Sequence, residues 1–282
     1  ESYKLFSKHY LIVTDYNSPD KLIHLFDKNT FEHLASSTYQ GQGPDEITII
    51  GHVGIDETNR RFFVSDHGKL KIFAYDLDSV LTTPEYQPSV KIDMKKKLFP
   101  DDYLYLNDTL CIAKIIEPIG NNDYKPSVAR WNIATGEINP MPYEYPDLKK
   151  VRFIYAASAE HQLYVQCYTQ YDLMTICDFN GNLKCNIYGP KWVNEKTQTQ
   201  HYSLGVEFCG DKILALYSGG DHRTDAYYPT KFLVFDLNGN YLKTLETGYM
   251  ITDFCYDKEN NRLIINLNDE IQFAYLDLEG II

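Results

Sequence analysis

The sequence predicts an all-β protein with the fold of a six-bladed beta-propeller, in which each blade is a four-stranded antiparallel sheet. The first observation behind this prediction is a strand–turn–strand pattern that occurs six times, and its first strand ends each time in Asp or Asn. The six positions are Asp27, Asp76, Asn132, Asp178, Asp236 and Asp277. Their separations of 49, 56, 46, 58 and 41 residues have the period of a radial or stacked array, and the strand patterning favours a propeller.

The second observation is another repeated unit that precedes each of these copies. It is clearest in residues 53–66 and 254–267, where two apolar strands flank a polar turn that contains Asn and Arg. Joining the two units gives four strands per copy, which we name a, b, c and d in chain order. Strands b and c are apolar on both faces, as expected where sheets pack on neighbouring sheets. No stretch has the pattern of a long amphipathic helix.

The repeat spans the whole chain, so we expect one domain. The blades are predicted near residues 1–42, 43–95, 96–146, 147–195, 196–247 and 248–282. The last blade is short, because only the sequence LEGII follows Asp277. Either this blade is incomplete, or a strand from ahead of Glu1 completes it. The first residue is Glu rather than Met, which predicts that an upstream segment has been removed.

Composition excludes several partners. Hydrophobic residues make up 44% of the chain, enough for a full core, and the net charge is −12. Such a charge repels phosphate backbones and anionic lipid, so we expect no nucleic-acid partner. No run approaches the roughly 20 apolar residues that span a bilayer. The six cysteines form no CxxC motif, and the best disulfide candidate joins Cys177 to Cys185. A three-residue turn would place these two cysteines opposite each other, whereas a two-residue turn would place them on opposite faces.

Two segments resemble known propeller families. Residues 64–76 resemble the core of NHL-type repeats, and GQGPDE at residues 41–46 resembles the GxGPxE signature of six-bladed TolB-like propellers. Proteins of this type are abundant among predicted lipoproteins of Gram-negative gut bacteria. The resemblance implies a periplasmic or outer-membrane-tethered protein of the cell envelope, with a lipid anchor upstream of residue 1. It implies no particular biochemical function.

Three acidic residues are candidate ligands for a divalent cation such as Ca²⁺. Asp15 and Asp66 end strand b in adjacent blades, and Glu46 lies in GQGPDE, whose glycines permit positive φ and whose proline stiffens the turn. The alternative is that these carboxylates bond to backbone amides. No HExxH or GxSxG motif is present, so no catalytic residue is assigned.

Four long insertions are predicted on one face of the propeller, where b–c and d–a connections emerge. They are residues 94–102, 117–127, 188–202 and 218–230. Their candidate binding residues are Tyr124, Trp192, Tyr202, Asp221, His222, Arg223, Tyr227 and Tyr228. Aromatic rings beside polar groups suit sugars or peptides. The alternative is that the rings anchor their own loops.

The leading hypothesis is therefore a binding or interaction propeller that presents aromatic loops to a glycan, a peptide or a protein. A second hypothesis is a metal-dependent propeller hydrolase or lactonase that uses Asp15, Asp66 and Glu46. A third is a structural subunit of a cell-envelope complex.

Overall fold

The fold is a six-bladed β-propeller, which confirms the predicted class. The computed structural model describes residues 2–6, 9–95, 97–120, 123–146 and 148–282. Five antiparallel sheets have four strands each, and the last sheet has three in the described part of the chain. Contacts divide the chain into unit 1, Glu1–Pro118 with Val128–Pro140, and unit 2, Ile119–Ser127 with Met141–Ile282. No helix among the described residues is long and apolar enough to cross a membrane.

The first three blades are built mainly from unit 1. Their strands are β1 (Ser2–Phe6), β2 (Tyr10–Thr14), β3 (Lys21–Asp27), β4 (His33–Tyr39), β5 (Ile50–Asp56), β6 (Arg61–Asp66), β7 (Lys71–Asp76), β8 (Ser89–Asp93), β9 (Phe99–Asn107), β10 (Leu110–Gly120), β11 (Asp123–Trp131) and β12 (Ile138–Pro140). Strands of one blade pair in chain order, and β5 contacts β9 of the next blade. Apolar side chains fill the spaces between these sheets, with Phe62 and Tyr75 stacked at 4.8 Å.

The last three blades lie in unit 2. Their strands are β13 (Phe153–Ser158), β14 (Leu163–Tyr168), β15 (Leu173–Asp178), β16 (Leu183–Tyr188), β17 (Thr199–Cys209), β18 (Lys212–Asp221), β19 (Lys231–Asp236), β20 (Tyr241–Glu246), β21 (Ile251–Asp257), β22 (Arg262–Leu267) and β23 (Phe273–Asp277). Strand β17 contacts both β13 and β21, so the first strands of successive blades lie side by side. Strands β14 and β15 are buried on both faces, as the sequence predicts for b and c. Completion of the last blade by an upstream strand stays a prediction.

The repeated Asp or Asn ends strand c and holds the c–d turn. Oδ1 of Asp178 accepts from the amides of Asn180 and Asn182 at 2.8 and 2.9 Å, and Oδ1 of Asp236 does the same with Asn238 and Asn240 at 2.9 Å. Equivalent bonds are made by Asp27, Asn132 and Asp277. A short side chain that bonds to the backbone two residues on is the chemistry of an Asx turn. This local requirement explains why the residue recurs in every blade.

The second blade departs from the predicted strand–turn–strand pattern. Asp76 caps a short helix, α1 (Leu77–Thr82), by accepting the amide of Ser79 at 2.8 Å. Leu77 and Val80 are buried on one side of this helix. The prediction that a turn and then a strand follow Asp76 within residues 77–81 is therefore wrong, because the same carboxylate that starts a turn also caps a helix. Strand d of this blade begins only at Ser89.

A buried carboxylate holds the a–b turn in two blades. Asp56 accepts from Asn59 and Arg61, and Asp257 accepts from Asn260 and Arg262 in the last blade. Both carboxylates are buried. This pairing explains the Asn and Arg that the two clearest repeat units share.

The candidate disulfide between Cys177 and Cys185 is absent. All six cysteines are free thiols. Strands β15 and β16 pair Ile176 with Cys185 and Cys177 with Leu183, with a register shift between the two pairs. The two candidate cysteines are thus not cross-strand partners.

Candidate functional site

Asp66, one of the candidate cation ligands, accepts hydrogen bonds from four backbone amides. Its Oδ1 accepts from the amides of Ile49, Gly68 and Lys69 at 2.9 to 3.1 Å, and its Oδ2 accepts from Thr48 at 2.9 Å. An ionised carboxylate has about four lone-pair positions. Asp66 is also 0% exposed. Its observed role is therefore to join the b–c loop of the second blade to the chain entering that blade.

The GQGPDE loop is held by its own glutamate and by a lysine. Oε2 of Glu46 accepts the amide of Gly43 at 2.7 Å, and Nζ of Lys69 donates to the carbonyls of Gly43 and Glu46. The glycines are required for close approach rather than for positive φ, which is a correction to the sequence interpretation. A Cβ on Gly41 would stand 2.0 Å from Oε2 of Glu46.

Asp15 shows the same pattern in the first blade. Its Oδ1 accepts the amide of Asn17 at 2.9 Å, and its own amide donates to the carbonyl of Leu22. Within the described part of the chain, no three His, Cys, Asp or Glu residues are grouped so that they could hold a metal ion.

Unit 2 contains a cluster of three partly exposed aromatic rings, Tyr145, Tyr188 and Trp192, which we name the Trp192 cluster. The ring of Trp192 lies 5.0 Å from Tyr188 and 5.9 Å from Tyr145, and Tyr145 lies 6.5 Å from Tyr188. The rings are inclined by 59 to 75° to one another. They therefore form the walls of an angular surface. The hydroxyls of the two tyrosines are 3.3 Å apart, and Tyr188 is 50% exposed.

Buried aromatic residues support this cluster from below. Tyr171 contacts Trp192 at 6.4 Å between ring centroids and donates its hydroxyl to the carbonyl of Lys149 at 2.8 Å. Tyr168 contacts Tyr145 at 6.5 Å and Phe153 at 5.9 Å. Edge-to-face packing of this kind adds about 0.5–1.5 kcal/mol per pair beyond area burial. The exposed rings therefore stand on a packed base.

The loop that carries Trp192 is fastened to a buried carboxylate, Asp172. Oδ2 of Asp172 accepts the amide of Lys191 at 2.9 Å, and the carbonyl of Asp172 accepts the amide of Gly189 at 2.8 Å. Gly189 is needed here, because a Cβ at this position would stand 2.2 Å from the carboxyl atoms of Asp172. Asp172 lies in the b–c loop of the fourth blade, and residues 189–198 form the following d–a loop. These two bonds join the two connections.

His201 and Tyr217 complete the buried polar group around Asp172. The hydroxyl of Tyr217 lies 3.2 Å from Oδ1 of Asp172 and 3.2 Å from Nδ1 of His201. Burial lowers the pKa of His201, and Lys191 acts in the same direction while Asp172 opposes them. Burial also raises the pKa of Tyr217, with Asp172 adding to the effect. His201 is therefore held neutral inside the face that carries the Trp192 cluster.

Tyr202 and Tyr124 do not lie in loops, contrary to the prediction. Tyr202 belongs to β17 and is 1% exposed, with its ring against Tyr217 at 5.3 Å. Tyr124 belongs to β11, and the guanidinium carbon of Arg152 stands 3.7 Å from its ring centroid. That guanidinium also donates to Asp123 and to the carbonyl of Tyr124. The part of each predicted insertion that carries Tyr124 or Tyr202 thus extends a strand, while residues 189–198 of the second insertion form a loop.

Asp221, His222 and Arg223 bond to their own surroundings at the end of β18. Arg223 donates two hydrogen bonds to Asp221, at 2.7 and 3.1 Å, and this contact lowers the pKa of the carboxyl. The amide of His222 donates to the carbonyl of Gln198, whose loop also carries Trp192. This bond links the b–c loop of the fifth blade to the preceding d–a loop.

Tyr227 and Tyr228 are half-buried and stack on each other at 4.2 Å with an interplanar angle of 29°. A short 3₁₀ helix, Asp225–Tyr227, precedes the second ring. Three of the four predicted insertions contribute to unit 2, although Asn121 and Asn122 lie outside the described residues. Segment 94–102 belongs to unit 1, and its Lys96 also lies outside the described residues.

Sequence reasoning found Trp192 but missed Tyr145, Tyr171, Tyr188 and Asp172. Tyr188 ends strand d and Tyr145 lies in a d–a connection without an obvious insertion. One signal was available: six tyrosines occur from residue 143 to residue 171. Asp172 carried no signal, because its main partner is an amide 19 residues away.

Comparisons with known proteins agree on the fold. The DUF5128 family model, described as a 6-bladed beta-propeller, matches residues 4–109. No curated protein matches the sequence. Among solved structures, a member of the DUF4221 family from Bacteroides vulgatus is 13% identical with a TM-score of 0.67, and the match covers 98% of this chain and 91% of that one.

Two further structures are similar in fold. The extracellular domain of a protein from B. thetaiotaomicron, described as a hybrid two-component system, is 11% identical with a TM-score of 0.59; the match covers 99% of this chain and 33% of that one. A gluconolactonase from Xanthomonas campestris is 14% identical with a TM-score of 0.61, and the match covers 95% and 82% of the two chains. At these identities the similarity concerns the fold alone, and the fold common to all these comparisons is the six-bladed propeller.

Proposed function

We propose that the chain is an exported binding propeller that holds a saccharide against the Trp192 cluster. The observation that carries the proposal is the contact of three partly exposed rings on a rigid base. Sugars present apolar C–H faces and hydroxyl edges, which suit an aromatic wall next to phenolic hydroxyls. Because Asp172 and Tyr171 fix the loop in advance, little ordering entropy opposes binding.

The test is binding of a panel of neutral and acidic oligosaccharides, measured by calorimetry. We expect Trp192→Ala and Tyr188→Ala each to raise the Kd at least about tenfold, the effect of a central aromatic contact. Tyr16→Ala is the matched control, because Tyr16 is 57% exposed on a b–c loop of the first blade. If no saccharide binds, or if Trp192→Ala binds as well as the unchanged protein, the proposal fails. Selective binding of a peptide would assign the cluster to a peptide instead.

The second candidate is a metal-dependent hydrolase or lactonase. Its support is the fold similarity to a gluconolactonase, and its ligands would be Asp15, Asp66 and Glu46. All three carboxylates already accept backbone amides, which weakens this candidate. Elemental analysis after soaking in Ca²⁺, together with a lactone hydrolysis assay, decides the matter: the absence of both metal and turnover removes the candidate.

The proposed location is the cell envelope, and a structural role in an envelope complex is compatible with it. The support for this location is the fold similarity to an extracellular domain. Fractionation of the native host tests it, and recovery of the protein in the cytoplasmic fraction would contradict it. Co-purification with envelope proteins would favour the structural role.

A further inference from the structure

Four lysines that form no salt bridge with a described residue lie in the two connections that carry Tyr145 and Trp192. Lys149 and Lys150 precede the fourth blade, and Lys191 and Lys196 lie in the loop that carries Trp192. All four are exposed, and none forms a salt bridge with any described residue. Elsewhere lysines are commonly paired, for instance Lys91 with Asp108 and Lys258 with Glu160.

This concentration of positive charge is unusual for the chain, whose net charge is −12. The acidic groups nearby offset it only in part: Glu144 is paired with Lys125 at 3.0 Å and Asp123 with Arg152 at 2.7 Å, and two carboxylates, Glu195 and the buried Asp172, accompany the four lysines. Asp147 lies outside the described residues. A local field opposite in sign to that of the whole molecule attracts anions to one place on the surface.

Two of the lysines are held close to the aromatic rings. The carbonyl of Lys149 accepts the hydroxyl of Tyr171, whose ring contacts Trp192. Lys191 immediately precedes Trp192, and its amide is bound by Asp172. The bonds that fix the cluster thus also fix the backbone of both residues, and both side chains are exposed; Nζ of Lys191 lies 3.7 Å from the position that a Cβ on Gly219 would take.

We propose that the Trp192 cluster and these four lysines form a site for an acidic oligosaccharide that bears carboxylate groups, such as a uronic-acid oligomer. The rings hold the sugar faces and the ammonium groups pair with the carboxylates. This proposal rests on the saccharide binding proposed above and adds the charge of the ligand. The ligand binds without any covalent bond being formed or broken.

The experiment compares a short oligogalacturonide with its carboxyl-reduced neutral counterpart by calorimetry. We expect the acidic probe to bind more tightly, and its affinity to fall when ionic strength rises from about 0.05 M to about 0.5 M. The double variant Lys149→Gln/Lys191→Gln should weaken binding of the acidic probe by about 2- to 30-fold, given the usual strength of exposed pairs. The same variant should leave the neutral probe unaffected.

The matched control is Lys212→Gln/Lys258→Gln, which changes the net charge equally; Lys212 begins strand b of the fifth blade, and Lys258 lies in the a–b turn of the last blade. Equal binding of both probes would overturn the acidic preference while leaving the proposed function standing. Absence of binding by either probe and by the wider panel would overturn both. If a DNA oligonucleotide binds the Trp192→Ala variant as well as it binds the unchanged protein, the lysines attract polyanions in general, and this outcome also overturns the proposal.

Discussion

Replacing Gly189 by alanine tests whether Asp172 holds the loop of Trp192. A Cβ at this position would stand 2.2 Å from Cγ and both oxygens of Asp172. The carboxylate cannot move aside freely, because it accepts the amide of Lys191 at 2.9 Å and the hydroxyl of Tyr217 at 3.2 Å. Gly189→Ala should therefore displace the carboxylate and weaken both bonds.

The magnitude follows from these contacts. Overpacking of a buried site costs about 1–3 kcal/mol, and a hydrogen bond to a charged group contributes about 1.5–3 kcal/mol. Because the bonds are strained rather than lost, we expect the free energy of unfolding to fall by about 2–4 kcal/mol. Asp172→Ala should cost a similar amount. In the double variant the obstructing carboxyl group is gone, so Gly189→Ala should add almost nothing, or should stabilise by about 0.4–1 kcal/mol through the unfolded state.

Urea unfolding, followed by circular dichroism and extrapolated linearly, measures the free energy of unfolding of the unchanged protein, the two single variants and the double variant. These four values form a double-mutant cycle. Gly120→Ala is the control for the general effect of a methyl group, because no atom lies within 4 Å of the position of that Cβ. A cycle that is additive within about 0.5 kcal/mol would refute the reasoning. So would a Gly189→Ala protein as stable as the control.

Three further predictions concern stability. Burial lowers the folded-state pKa of His201, so the unfolded chain binds the proton at a higher pH than the folded chain does. As the pH decreases below about 6.5, the free energy of unfolding should therefore decrease, by at most about 1.4 kcal/mol per pH unit. Urea titrations of His201→Gln should show a shallower pH dependence, and an unchanged slope would contradict this. Asp56→Ala removes the acceptor of Asn59 and Arg61 and should cost about 2–4 kcal/mol in the same assay, whereas the exposed Asp20→Ala should cost nothing measurable. Asp66→Asn leaves one oxygen for four amide donors and should cost about 2–4 kcal/mol; a loss under about 0.5 kcal/mol would mean that water replaces these bonds.

The features that could be predicted from the sequence are those whose chemistry is local. Asp178 and Asp236 recur because a carboxylate at the end of strand c bonds to amides two and four residues later. Such a requirement places the same type of residue at the same point of successive blades, so its period in the sequence predicts the number of blades. The limit appears at Asp76, whose carboxylate caps a helix instead of a turn. Residues 77–82 decide between the two outcomes through burial of Leu77 and Val80, which depends on the neighbouring sheet.

The proposed binding surface could be predicted only in part, because its residues come from separate connections. Tyr145, Tyr188 and Trp192 meet only when the chain entering the fourth blade, the last strand of that blade and the next connection are assembled. An insertion marks the loop of Trp192 in the sequence, but Tyr188 ends a strand of ordinary length. Aromatic residues at ordinary positions give no sequence signal of a shared surface.

The sequence left two interpretations of the aromatic insertions open, loop anchoring and ligand binding, and the structure separates buried rings that pack under the face from rings that are partly exposed. Tyr202 and Tyr171 are buried, and they pack beneath the face together with Tyr217. Tyr188 and Trp192 stand above them with their rings partly exposed. Since Asp172 and Gly189 already fasten the loop, the partly exposed Trp192 is not required as its anchor. A partly exposed ring in a loop that other residues hold favours a role in recognition, so the binding proposal depends on Trp192.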